Sequence, residues 1–176
     1  FALVTLRGSE LAPVDEVAVI RLADQKVEKR LQVGARPVAI VARPQGDFAL
    51  VASMFSPWAA VIDLASREVV GRIRVGLYTM DFTFSADGSV LFATNRMLDE
   101  VQRWKVTVKD GSLEAERTHS APAGINPMPV GLSPDGVKVY VGDQGGLNIR
   151  VYSAADLKEV ATLFFNAPTF DIVPMG

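Results

Sequence analysis

Two carboxylates stand at one phase of two short apolar runs: Asp81 in Met80-Asp81-Phe82 and Asp171 in Phe170-Asp171-Ile172. Such residues can form a carboxylate pair or hold a cation. Each can equally cap a neighbouring backbone amide or face water. Ala39 and Gly131 hold the same phase in the two sister runs, so no ring of carboxylates forms. His119 is the single histidine, which excludes a multi-histidine metal site and leaves no workable Ser-His-Asp order. There is no cysteine, hence no thiolate ligand, disulfide or covalent haem attachment. No G-x-S-x-G nucleophile elbow occurs. Asp143-Gln144-Gly145-Gly146 is glycine-rich, but it lies between two strand-like runs and not ahead of a helix. It therefore reads as a turn and not a phosphate cradle. No catalytic residue and no cofactor is expected, and Asp81 and Asp171 are the only metal candidates.

The elements that must position these groups repeat. Arg36–Gly76 holds four apolar runs, Val38–Ala42, Phe48–Ser53, Trp58–Leu64 and Val69–Val75, separated by turn residues. Each run is too short for a helix and rich in Val, Ile and Phe, so the unit predicts a four-stranded antiparallel meander. Phe1–Leu6 (FALVTL) copies Phe48–Ser53 (FALVAS), Glu16–Leu22 matches Ala59–Leu64, and Val27–Val33 matches Val69–Val75. First strands are expected at Val38–Ala42, Met80–Phe84, Val130–Leu132 and Thr169–Val173. Pro37, Thr79, Pro129 and Pro168 precede them, spaced 42, 50 and 39 residues apart. The third unit continues with Glu100–Val108 and Leu113–Ser120, and the fourth with Val137–Gly142, Asn148–Tyr152 and Val160–Phe165. Ala121–Met128, with two prolines, reads as an extended loop that accounts for the long interval. After the first strand come Arg43-Pro44-Gln45-Gly46-Asp47, Ser85-Ala86-Asp87-Gly88 and Ser133-Pro134-Asp135-Gly136, where Gly supplies positive φ and Asp bonds its own backbone.

A period near forty with four short strands is the mark of a β-propeller blade. The fold class is all-β, with four blade-equivalents at about 1–34 plus 168–176, 35–76, 77–124 and 125–167, in one domain over 1–176. Pro37–Val41, Phe48–Val51, Val61-Ile62-Asp63, Ile73-Arg74-Val75-Gly76 and Ser133–Val141 resemble the YVTN-type β-propeller repeats, with Val139-Tyr140-Val141 nearest the name-giving strand. Arg21 and Lys105 depart from the family at the Asp63 phase, and Glu100–Val108 lacks the Val-Ile-Asp signature. The resemblance covers the whole chain and implies fold far more than activity. It implies a surface-layer, cell-surface or periplasmic setting, and relatives that include cytochrome-fused and lactonase-like propellers.

The chain starts with the second, third and fourth strands of a blade and ends on a lone first strand. Two closures follow: a four-bladed ring in which the ends join, or about half of a larger, roughly seven-bladed propeller. Phe1 in place of an initiator Met favours the second. The missing half would then come from another segment or a second copy, so a homo-oligomer is one expected form.

In a propeller the loops entering the first strands and those between second and third strands gather on one face. Here that face carries Arg36, Trp58, Tyr78, Asn95, Arg96, Asp99, Asn126, Met128, Asp143 and Gln144. Aromatics beside polar and charged groups suit a binding surface, although Trp58 can also pack between blades. With 49% hydrophobic and 22% charged residues the composition is globular, and the net charge of −2 argues against a nucleic-acid partner. No apolar run reaches a membrane span. The leading functional expectation is a non-catalytic binding or scaffold propeller that docks a protein, for instance a redox or cell-surface partner. The alternative is a channel-mouth enzyme, lactonase-like or cofactor-bearing, tested at Asp81, Asp171 and Arg36.

Overall fold

The computed structural model describes residues 1–9 and 11–175. Among them lie fifteen β-strands in four antiparallel sheets, and no helix long and apolar enough to cross a membrane. The first blade contains β1 (Ala2–Gly8), β2 (Pro13–Arg21) and β3 (Lys26–Gln32). The second contains β4 (Pro37–Ala42), β5 (Phe48–Ser53), β6 (Trp58–Asp63) and β7 (Glu68–Arg74). The third contains β8 (Thr79–Phe84), β9 (Val90–Asn95), β10 (Glu100–Lys109) and β11 (Ser112–Pro122). The fourth contains β12 (Pro127–Leu132), β13 (Lys138–Asp143), β14 (Asn148–Ser153) and β15 (Glu159–Phe164). Strands pair in chain order within every sheet, as a meander requires. The architecture is a β-propeller.

Both faces of a blade must be apolar, because each is covered by a neighbour. In β5, Phe48, Leu50 and Ala52 join Phe82, Leu91 and Trp104 in the core between the second and third blades. The intervening Ala49 and Val51 pack with Val17, Val19 and Leu31 of the first blade. Phe92, Val101, Val139, Val141 and Tyr152 make the corresponding core between the third and fourth. The Tyr152 hydroxyl donates to Pro122 O at 2.7 Å, which gives this buried phenol its partner. The Asp-Gly turns form as the residue types require: Asp87 accepts from Ser85 Oγ and from Ser89 N and Oγ. Those hydrogen bonds draw its carboxyl down to about 2.

Every blade carries a β-bulge between its third and fourth strands, at Val19/Ile20, Val61/Ile62, Arg103/Trp104 and Val151/Tyr152, besides a register shift in another strand pair at the loop-face end. A bulge bends a strand and adds twist, and here it does so at the same point of every unit.

Three expectations change. Thr169–Val173 is irregular and not a strand, so the first blade has three strands. Ile172 and Pro174 lie close against Gly131 of β12, and Gln144 Nε2 donates to Thr169 O. The segment thus crosses the inner edge of the fourth blade, and Pro168 and Pro174 withhold two of the amides a strand would use. Secondly, of the two closures it is the less favoured four-bladed ring that is not seen: among the described residues blades pack first on second, second on third and third on fourth, with no comparable strand packing from fourth to first. Thirdly, the long interval comes from the extended β10–β11 hairpin. Ala121 and Pro122 end β11, and Pro127 and Met128 open β12, so the expected loop shrinks to Ala123–Asn126.

The fourth blade's outer face is consequently bare. Val137, Val160 and Leu163 are exposed there, beside half-buried Tyr140.

Candidate functional site

Three positions of the blade repeat build the loop face. The first is the last residue of each second strand: Ser53, Asn95 and Asp143, all buried. Each reaches back to the loop entering the first strand. Ser53 Oγ donates to Val33 O, and Asn95 Nδ2 donates to Leu77 O at 2.9 Å. Asp143 Oδ1 accepts from Ile125 N at 2.9 Å. Asn95 Oδ1 also accepts from Met97 N and Leu98 N, while Asp143 accepts from Gly146 N, Asn148 Nδ2 and Arg150 Nε. Burial opposes ionisation of Asp143, and hydrogen bonds from Ile125, Gly146, Arg150 and Asn148 outweigh it, leaving its carboxyl below its ordinary value. Asn95 and Asp143 are therefore turn braces with their polar atoms spent inside the protein.

The second position immediately precedes each first strand. Arg36, Tyr78 and Asn126 adopt φ of 57°, 57° and 54°, and Asn166 follows suit at 56°. A left-handed Arg or Tyr costs about 1–2 kcal/mol, and the cost is offset by backbone bonding. Arg36 N donates to Val14 O, Met54 N to Arg36 O, Tyr78 N to Met54 O and Arg96 N to Tyr78 O, at 2.8–3.0 Å. Two of these bonds, from Arg36 to Val14 and from Tyr78 to Met54, cross between blades, and the other two link them within the second and third blades. Arg96 continues the line with its side chain, Nε donating to Asn126 Oδ1 at 3.0 Å. Asn126 N in turn donates to Asp99 Oδ1.

The third position follows the second strand in β5, β9 and β13, as Met54, Arg96 and Gln144, and Arg7 holds the same phase inside β1 through the FALVTL/FALVAS match. Arg7, Met54 and Arg96 of this set, with the left-handed set and the next residues, Phe55 and Met97, line a cavity of about 590 Å³. The full lining is Arg7, Arg36, Met54, Phe55, Tyr78, Arg96, Met97 and Asn126. Three arginines line it, and among the described residues no carboxylate does. Phe55 and Tyr78 meet edge-on with centroids 5.7 Å apart, and the Arg36 guanidinium lies 5.4 Å from the Phe55 centroid.

Of the expected face residues, Arg36, Tyr78, Arg96 and Asn126 converge on this cavity, and Trp58, Asn95 and Asp143 do not line it. Trp58 is half-open to solvent, with Arg74 over its ring, so it does not pack between blades. Sequence reasoning missed Arg7, Met54, Phe55 and Met97 as individual residues. Alignment of the two positions that follow Ser53 and Asn95, with Arg7 at the phase of Met54, would have found them.

A smaller cavity of about 180 Å³ opens beside the first on the inner wall. Asp81, Asp171, Arg7, Val38, Ala39, Met80, Met128, Pro129 and Phe170 line it, so Arg7 serves both. Asp81 and Asp171 do share this space. Both also cap amides: Asp81 accepts from Phe82 N and from Val130 N of the next blade, and Asp171 accepts from Ile172 N. Burial pushes the Asp81 carboxyl up to about 6, against its two amide donors, and the like charge of Asp171 adds to the rise. Among the described residues no group of three or more His, Cys, Asp and Glu side chains is placed to hold a metal ion. His119 lies on exposed β11 at the outer rim, opposite Arg103.

No family model matches the sequence, and no curated protein matches it. Solved structures do. Hydrazine synthase of Kuenenia stuttgartiensis aligns at 23% identity and TM-score 0.71, over 86% of this chain and 43% of that one. A periplasmic gluconolactonase of Pseudomonas aeruginosa aligns at 20% identity and TM-score 0.71, over 88% and 50%. The β-propeller domain of Swd1 from Myceliophteria thermophila aligns at 12% identity and TM-score 0.63, over 89% and 69%. The chain spans about half the length of the first solved structures it matches. At such identities these likenesses carry the fold, and the fold they carry is the β-propeller.

Proposed function

We propose that this chain is a binding module of a larger propeller, docking a protein partner on the loop face over the cavity at the mouth. The observation that carries the reading is the convergence of Arg7, Arg36, Arg96, Phe55 and Tyr78, from three successive blades, on one open concavity. Arginine and aromatic side chains dominate the energetic centres of protein interfaces. The bare outer face of the fourth blade supports further blades supplied by other residues or by a second copy. The YVTN-like repeat supports an extracytoplasmic setting. The test is a photo-crosslinking side chain placed at Tyr78 or, as control, at Lys109 on the rim. The expected result is one crosslinked partner from Tyr78 and none from Lys109. Equal labelling from both, or none from Tyr78, overturns the reading.

A second reading, hydrolysis at the inner wall, is favoured by Asp81, held near 6 beside Asp171. Above that value it is a carboxylate placed to act as a general base. The gluconolactonase likeness bears on the substrate class. Opening of an aldonolactone by the protein, cut about 100-fold or more by Asp81→Asn, is expected under this reading. An inert parent protein removes it.

A further inference from the structure

The mouth cavity has a chemistry more specific than its shape. The chain as a whole carries net charge −2, yet this concavity gathers three arginines and, among the described residues, no acidic lining residue. The described lining, with Arg7 and Arg96 in it, is thus opposite in sign to the molecule. Among the described residues Arg7 makes no ion pair and no side-chain hydrogen bond, and the one hydrogen bond made by the Arg96 guanidinium is from Nε to Asn126 Oδ1. Asp99, in the loop between β9 and β10, accepts from Asn126 N. Beside these cations stands an apolar and aromatic wall of Met54, Phe55, Tyr78 and Met97. Phe55 and Met97 are exposed, and Tyr78 is half-buried.

Such a wall offers stacking and sulfur–aromatic contact, while guanidinium groups offer paired donors matched to a carboxylate. The volume of about 590 Å³ lies in the range that accepts a few side chains and excludes a folded element. The frame is also fixed before binding, because left-handed backbone at Arg36 and Tyr78 is part of the line of main-chain hydrogen bonds, and Asn126 is tied to it through the side chains of Arg96 and Asp99. Little ordering cost then falls on the protein when a ligand enters.

We infer that the mouth binds an acidic peptide segment carrying an aromatic residue, its carboxylates on Arg7 and Arg96 and its ring against Phe55 and Tyr78. The inference rests on the loop face being the docking surface and names the part of the partner that enters it.

The test uses the complete polypeptide and a library of acetylated, amidated nonapeptides. Each holds one fixed Phe, with Asp or Glu at half of the other positions. The comparison library replaces Asp and Glu by Asn and Gln. Binding is read by fluorescence anisotropy at two ionic strengths. Acidic members are expected to bind at least ten-fold tighter than their amide counterparts, and to weaken as salt rises. Arg7→Gln and Arg96→Gln are each expected to weaken binding about ten-fold with unchanged circular dichroism, and Phe55→Ala to weaken it without changing the salt dependence. Equal binding of the two libraries, indifference to both arginine substitutions, or no binding by either library overturns the inference. A crosslinked partner at Tyr78 together with failure here would leave protein docking standing and remove its acidic anchor. Loss of crosslinking with retained peptide binding would do the reverse.

Discussion

Phe92 and Tyr140 occupy one position of two consecutive blades, the same place in the second strand and the same side of the sheet. Phe92 is almost wholly buried against the fourth blade, in a core with Val139 and Tyr152. Tyr140 looks out from the fourth blade beside Val151 and Leu163, along a shallow groove. The blade repeat therefore dictates that a side of the sheet be apolar, and it is silent on whether anything covers that side. Apolar area contributes to stability only where it is removed from water.

The sharpest break of this comparison is the pair Phe92→Ala and Tyr140→Ala. The first is expected to cost about 3–5 kcal/mol in denaturant unfolding, and the second less than about 1 kcal/mol. If Tyr140→Ala in the complete polypeptide costs as much as Phe92→Ala, the outer side of the fourth blade is covered there by another blade.

The same contrast exists within the loops. Asp143→Ala leaves Arg150 without its buried partner and two amides without acceptors, and is expected to cost about 3 kcal/mol. Asn126→Ala loses one bond from Arg96 and a side chain tolerant of left-handed backbone, for about 1 kcal/mol. Equal costs would erase the distinction between brace and lining.

Asp81 gives a pH-dependent version. Its folded value of about 6 exceeds the ordinary value near 4. Between these two values the folded protein holds a proton the unfolded chain has released. The contribution of Asp81 to stability thus falls as pH rises through that window and is level above it. Asp81→Asn is expected to flatten the stability profile between about pH 4 and 6, by about 2 kcal/mol end to end. Asp143 acts with the opposite sign: its carboxyl is lowered, so its contribution is present at neutral pH and is lost below about pH 4. A profile unchanged by Asp81→Asn would mean that its carboxyl is no different from an exposed one. The smallest expected effect is His119→Gln on the rim, within about 0.5 kcal/mol and without influence on peptide binding.

Periodicity made most of the fold legible. FALVTL and FALVAS, the recurring Asp-Gly turns and the forty-residue spacing were enough for the strands, their order and the propeller. The irregular course of Thr169–Val173 was hidden, because a strand needs an edge to pair with and composition says nothing of which edge is in reach. The site was half legible. Arg36, Tyr78, Arg96 and Asn126 stand out as large or polar residues in loops, and they do meet. Asn95 and Asp143 stand out in the same way, yet their polar atoms are consumed by the turns they close. Residue type alone does not separate an amide that holds a loop from one that greets a ligand. Phase does: one position braces, the next lines the cavity.

The hydrogen bonds linking Val14, Arg36, Met54, Tyr78 and Arg96 involve only main-chain atoms. The aperture they draw is therefore indifferent to the side chains hung on it. Replacing Tyr78 by Asn, or Met54 by Arg, would change the guest without resizing the door. A socket of this kind can be respecified one residue at a time, with the recognition chemistry free to drift while the frame stays put.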